Sequence, residues 1–176
     1  MPAGAIIQPA QQVSIAVNGA NGPMAVLGNF GAPASAAWAS ANAAVFVPFR
    51  IGAPMIVQKL AWANGATLGG NVDIGIYDEA GTRIVSSGSI AQSGTNNLQE
   101  ADITDTYLLP GLYFLAVACN SGTATLLIFT AASTQVPRMV GVLAQASAFP
   151  LPAVASLGTV SSAQVPLAAA FGRTTL

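Results

Sequence analysis

The chain has 176 residues; 53% are hydrophobic and 6% charged, with five Lys or Arg, six Asp or Glu and no histidine. That length suits one domain with a sizeable core plus arms, and leaves little room for two. A net charge of -1 without any basic run excludes phosphate tracking on nucleic acid, and the missing histidine removes Ser-His-Asp, Cys-His and His-bearing zinc chemistry.

Ordinary soluble domains are about 25% charged. A surface this poor in charge is an association site, so the composition predicts a subunit packed into an assembly. Residues 1–44 form the first zone, an uncharged arm of Ala, Gly, Asn, Ser and Pro; the first charged residue is Arg50. The pairs Asn18-Gly19 and Asn21-Gly22 are turn signals that place a short hairpin within Gln12 to Met24. Gly31 to Ala44 is Ala-rich, which favours helix, but Pro33 and the lack of an apolar stripe make it an extended arm with at most one short helical turn. The first 49 residues offer no Lys or Arg for the basic end of a secretory signal.

Residues 45–130 form the second zone, a β-sandwich core. Val45 to Ile51 is a β-rich strand in which Pro48 suits an edge or a bend, and Met55 to Trp62 is a second strand, ended by Asn64-Gly65. In Val72 to Tyr77 the residues Val72, Ile74 and Ile76 share one face while Asp73 alternates outward, the pattern of a half-buried strand. Asp78-Glu79-Ala80-Gly81 then turns the chain into a hairpin with Thr82 to Ser86. Ser87 to Asn97 is polar and flexible, and Leu98 to Ile103 is an edge strand. Leu109-Pro110-Gly111 delivers Leu112 to Cys119, a strand apolar on both faces, which must be covered on both sides. Asn120-Ser121-Gly122 turns into a last strand, Ala124 to Thr130. That turn also interrupts the most apolar stretch, Tyr113 to Ala132, well short of the ~20 residues a bilayer helix needs. No membrane partner is expected.

Residues 131–176 form the third zone, strands or a strap that complete the sandwich or pack on neighbours. Pro137, Pro150, Pro152 and Pro166 rule out long helices; Met139 to Val142, Val154 to Leu157 and Val165 to Ala170 are the candidate strands. Short strands at a spacing of roughly 8–12 residues give the fold class: all-β, a single β-sandwich or jelly roll with extended N- and C-terminal arms.

The chemical inventory is thin. Cys119 is the only cysteine, so it forms no internal disulfide and reads as a buried small hydrophobe. A Ser–Lys dyad would need Lys59, the only lysine, which falls inside a strand. The carboxylates Asp73, Asp78, Glu79, Glu100, Asp102 and Asp105 fit solvated turns and edges; Asp102 and Asp105 do not match an EF-hand loop. Gly65 to Gly70 is glycine-rich but lacks the Lys-Ser/Thr of a phosphate loop. No catalytic, cofactor-binding or metal-binding residue is named, and no enzyme is expected. Trp38, Trp62, Tyr77, Tyr107 and Tyr113 are the aromatics available either for packing or for stacking on sugars.

Four segments, in order, carry a resemblance: Val47 to Ile51, Gly70 to Asp78, Gly81 to Gly88, and Leu109 to Ala116. Together with Ala148-Phe149-Pro150-Leu151-Pro152-Ala153, they resemble tailed-bacteriophage virion structural proteins and the jelly-roll modules of their fibres and decorations. The resemblance implies a capsid decoration or cement protein in a virion, on the capsid exterior, and a homo-oligomer with trimers favoured by analogy. The partner would be the major capsid protein or another virion protein. The alternative it leaves is a head- or tail-fibre adhesin that binds glycans.

Overall fold

The computed structural model describes residues 32–130, 137, 141–158 and 164–174. Every named element among them is a strand. In chain order these are β1 (Pro33–Ala37), β2 (Ala43–Ile51), β3 (Met55–Ala63), β4 (Asn71–Asp78), β5 (Arg83–Ser86) and β6 (Ile90–Ala91). They continue as β7 (Leu98–Leu108), β8 (Gly111–Cys119), β9 (Thr125–Thr130), β10 (Leu143–Gln145), β11 (Gln164–Pro166) and β12 (Ala168–Thr174). The strand pairings among the described residues are all antiparallel, in a six-stranded sheet (β10-β2-β8-β4-β5, with β6 beside β4) and two three-stranded sheets, β12-β3-β7 and β1-β9-β11. The chain is an all-β sandwich.

The alternation of apolar residues explains the core. Val45, Val47, Phe49 and Ile51 on β2, Leu115 and Val117 on β8, and Val72, Ile74 and Ile76 on β4 all point inward. They meet Met55, Val57, Leu60 and Trp62 of β3 from the opposite layer, with Leu126, Ile128 and Phe129 of β9. On β3 the inward set changes phase between Val57 and Leu60, because the β3–β7 register slips between Val57 and Lys59.

The hairpin expected at Asp78 to Gly81 joins β4 to β5. Gly81 supplies the positive φ, +85°, and the Asp78 carboxylate accepts the Thr82 N–H at 2.7 Å. Pro48 sits opposite Phe114, past the point where β10 stops pairing with β2 at Phe46, so its missing N–H breaks no ladder on that side.

The strand apolar on both faces, β8, lies between β2 and β4, and its outer face is covered by the chain itself. Ala148, Leu151 and Ala155 form a strap over Ala44, Phe46, Tyr77, Phe114, Ala116 and Ala118. This cover corrects two expectations. The β4 strand is buried on both faces, and Asp73 lies wholly buried under the strap where solvent was expected. Gly75 permits the close approach, since a Cβ there would lie 2.7 Å from the Val85 carbonyl and 3.1 Å from Leu151.

Other elements differ from expectation for tertiary reasons. The Ala-rich stretch is extended as expected but belongs to a sheet: Pro33–Ala37 is strand β1, paired with β9 from Pro33↔Phe129 to Ala37↔Thr125, where cross-strand bonding outweighs the weak helix preference of alanine. Trp38 follows it into the core, its indole N–H donating to the Ala43 carbonyl at 2.9 Å. The hairpin expected within Gln12 to Met24 lies outside the described residues. Among the C-terminal strands, β10 pairs β2, β11 pairs β9, and β12 pairs β3 as far as Thr174. Val154 makes only an isolated bridge to Thr82.

The polar segment Ser87 to Asn97 is tied down by a buried amide. The Asn64 Oδ1 accepts from Trp62 Nε1 at 3.0 Å and Gln92 Nε2 at 3.1 Å, while its Nδ2 donates to the Ser93 carbonyl and Gln99 Oε1. Asn64 thus uses both acceptor and both donor sites at no exposure, which is what its burial demands.

Candidate functional site

All six carboxylates, and every cation except Arg138, fall among the described residues. They do not converge: no group of three potential metal ligands occurs among the described residues. Lys59 stands exposed on β3 beside Glu100 at 3.2 Å and Asp102 at 3.6 Å, and the hydrogen bond and charge of Glu100 hold its pKa above the usual lysine value. A lysine so paired is fully protonated, the opposite of what a Ser–Lys dyad needs. Asp105 accepts hydrogen bonds from Gln58 Nε2 at 3.1 and 3.3 Å. Asp78 and Glu79 occupy the hairpin turn.

The one buried carboxylate works as a clasp. Its neighbourhood begins with sequence chemistry: in Pro150-Leu151-Pro152, only Leu151 carries a backbone N–H. Asp73 Oδ2 accepts that N–H at 2.9 Å, and its Oδ1 accepts the Ser87 hydroxyl at 3.4 Å. The Arg83 guanidinium donates to the Leu151 carbonyl, so the same residue is gripped at both ends of its backbone. The Tyr77 hydroxyl donates to the Pro152 carbonyl at 2.6 Å, and the Arg83 N–H to the Ala153 carbonyl at 2.9 Å. Burial pushes the Asp73 carboxyl above its ordinary value, and the Leu151 N–H and Arg83 pull against it. Burial also raises the Tyr77 hydroxyl, which keeps it a hydrogen-bond donor. The groups of the clasp are spent on the chain's own backbone.

The candidate sugar-stacking residues sort clearly. Trp38, Trp62 and Tyr77 are buried in the core or under the strap, and Tyr113 is buried with its hydroxyl donating to the Leu109 carbonyl at 2.7 Å. Tyr107 alone of the five is exposed, at 54%. Cys119 is free and buried, its thiol pushed up by burial.

What the surface does offer is apolar. The register Ile51↔Gly111, Asp78↔Tyr113 and Met55↔Leu108 gathers the Gly52–Pro54, Leu109–Pro110 and Glu79–Gly81 turns at one end of the sandwich. Tyr107 and Leu109, 59% exposed, stand there. Nearby, Pro48, Phe49, Arg50 and Leu112 line a shallow cleft of about 240 Å³. Arg50 makes no ion pair among the described residues, so the cleft is apolar with one available guanidinium.

The clasp went unseen in the sequence because Asp73 and Leu151 are 78 residues apart. The only local signals were a proline pair flanking one donor and a carboxylate within an apolar strand. No helix among the described residues is long and apolar enough to cross a membrane. No family model matches the sequence, and comparison with curated proteins found no match.

Proposed function

We propose that this chain is a non-enzymatic structural subunit of a tailed-bacteriophage virion, a decoration or cement protein on the capsid exterior that contacts the major capsid protein. The observation that carries the reading is the distribution of charge. The first 49 residues have none, and the sandwich exposes large apolar side chains beside its Leu109–Pro110 turn. Affinity from such surfaces comes from apolar burial and backbone hydrogen bonds. About 1,000 Å² of arm interface is worth ~25 kcal/mol gross at ~25 cal/mol per Å², and ordering the arm offsets most of that. The resemblance of Val47 to Ile51, Gly70 to Asp78, Gly81 to Gly88 and Leu109 to Ala116 to virion proteins supports the same assembly. The competing adhesin reading has less to work with, since Trp38, Trp62 and Tyr77 are not available as a stacking platform.

The test is truncation. Because β1 starts at Pro33 and Trp38 is core, the deletion should end at residue 31. Full-length protein should stay on particles in 1 M salt, where the Debye length falls to ~3 Å from ~10 Å at 0.1 M. The truncated protein should fold yet fail to bind. Full occupancy by the truncated protein would remove the arm as anchor, and glycan-array binding without particle binding would replace this reading with the adhesin.

A further inference from the structure

We propose that β12 and β7, the two outer strands of one three-stranded sheet, form a head-to-tail interface between copies of this chain. In it, Arg173 of one copy meets Asp105 and Tyr107 of the next. The inference rests on reading the chain as an assembling subunit, but not on which particle it joins.

Both strands pair only with β3 among the described residues, and they flank it on opposite sides. Their charges are opposite. The β7 strand carries Glu100, Asp102 and Asp105, half of all the carboxylates in the chain, and only Lys59 answers them. The β12 strand carries one charge, Arg173, exposed and without an ion pair among the described residues. Pairing β7 with β7 or β12 with β12 across a two-fold axis would set like charges against each other, which is unfavourable. Pairing β12 with β7 brings opposite charges together, and a heterologous contact of this kind closes into a ring when the rotation allows.

The levels also agree. Arg173 is opposite Ile56, and Ile56 is opposite Tyr107, so the three occupy one cross-strand row. A rotation about an axis parallel to the strands keeps that row level, so where it sets β12 of one copy beside β7 of the next, Arg173 stands level with Tyr107. Asp105 lies two residues before Tyr107, where β7 bulges against Gln58, and so at most about 7 Å away at ~3.3 Å per residue, within reach of an arginine side chain. The exposed Tyr107 ring adds a cation–π face for the same guanidinium. Register irregularities between Phe171 and Gly172 on β12, and opposite Gln58 on β7, break both edges, so the two strands lie side by side only over Gly172–Thr174 and Thr106–Leu108.

Disulfide trapping tests this directly in the full-length chain. Within one copy, Arg173 and Tyr107 are separated by the width of β3, about 10 Å between Cα atoms at ~4.8 Å per strand. That exceeds the ~7 Å limit for a disulfide, so R173C and Y107C can join only across copies. Cys119 is buried and does not compete. Mixing the R173C and Y107C variants under mild oxidation should give a linked pair, neither variant alone should link to itself, and the R173C/Y107C double variant should give a ladder that stops at the ring size. A second measurement uses sedimentation at micromolar concentration: R173E should weaken self-association at least about tenfold, and R173E/D105R should restore it. Self-linking of either single variant, failure of the mixture to link, or a wild-type chain that stays monomeric would each overturn the interface. None of these touches the decoration reading, which is decided on particles.

Discussion

Replacing Leu151 with alanine measures whether the strap belongs to the folding unit. Leu151 is 2% exposed, its backbone is held by Asp73 and Arg83, and its side chain covers β4 above Gly75. The substitution removes three carbons from a buried site, about 2.4 kcal/mol of transfer free energy at ~0.8 kcal/mol per carbon. A cavity cost adds to this, tempered because a segment lying across a sheet can settle inward, so the expected loss is about 3 kcal/mol. For a chain of this size that lowers the melting temperature by roughly 6–12 °C. Urea unfolding followed by tryptophan fluorescence reads it, with Trp38 and Trp62 both in the core and the slope against urea unchanged. A loss below about 1 kcal/mol would refute the reasoning, because surface substitutions away from such features cost about 0.5. The strap would then be an appendage that the sandwich does not need.

Further outcomes follow from the same clasp and from the core. Burial raises the folded pKa of Asp73 above 3.8, so its contribution to stability is fully present below that value and is lost as pH rises through the folded pKa. Asp73→Asn keeps an acceptor for the Leu151 N–H without the charge. It should flatten the dependence of stability on pH above 3.8 and leave stability at pH 7 unchanged or higher; urea midpoints at several pH values check this, and a marked loss at pH 7 would mean that the attraction of the nearby Arg83 charge outweighs burial. Cys119, buried and with its thiol raised, should resist thiol reagents in native protein and react only once denaturant unfolds it, as absorbance of a released chromophore would report.

The strand content, the Asp78–Gly81 hairpin and the need to cover both faces of β8 are legible from residue order alone. Period-2 alternation and turn residues act over a few neighbours, and a strand apolar on both faces states its own requirement wherever it lies. Alternation says which side a residue takes but not what lies on that side. Asp73 therefore read as solvated, although the outer face of its strand is the one that the Ala148–Ala155 strap covers. The Ala-rich stretch before Trp38 read as an extended arm with one short helical turn and not as part of the sheet, because propensity is local whereas its partner β9 lies about ninety residues further on. Pro150 and Pro152 excluded a helix at once. That they also leave Leu151 as the single donor for a buried carboxylate emerged only when folding brought the two together, because desolvation and hydrogen bonding depend on distance in space and not along the chain.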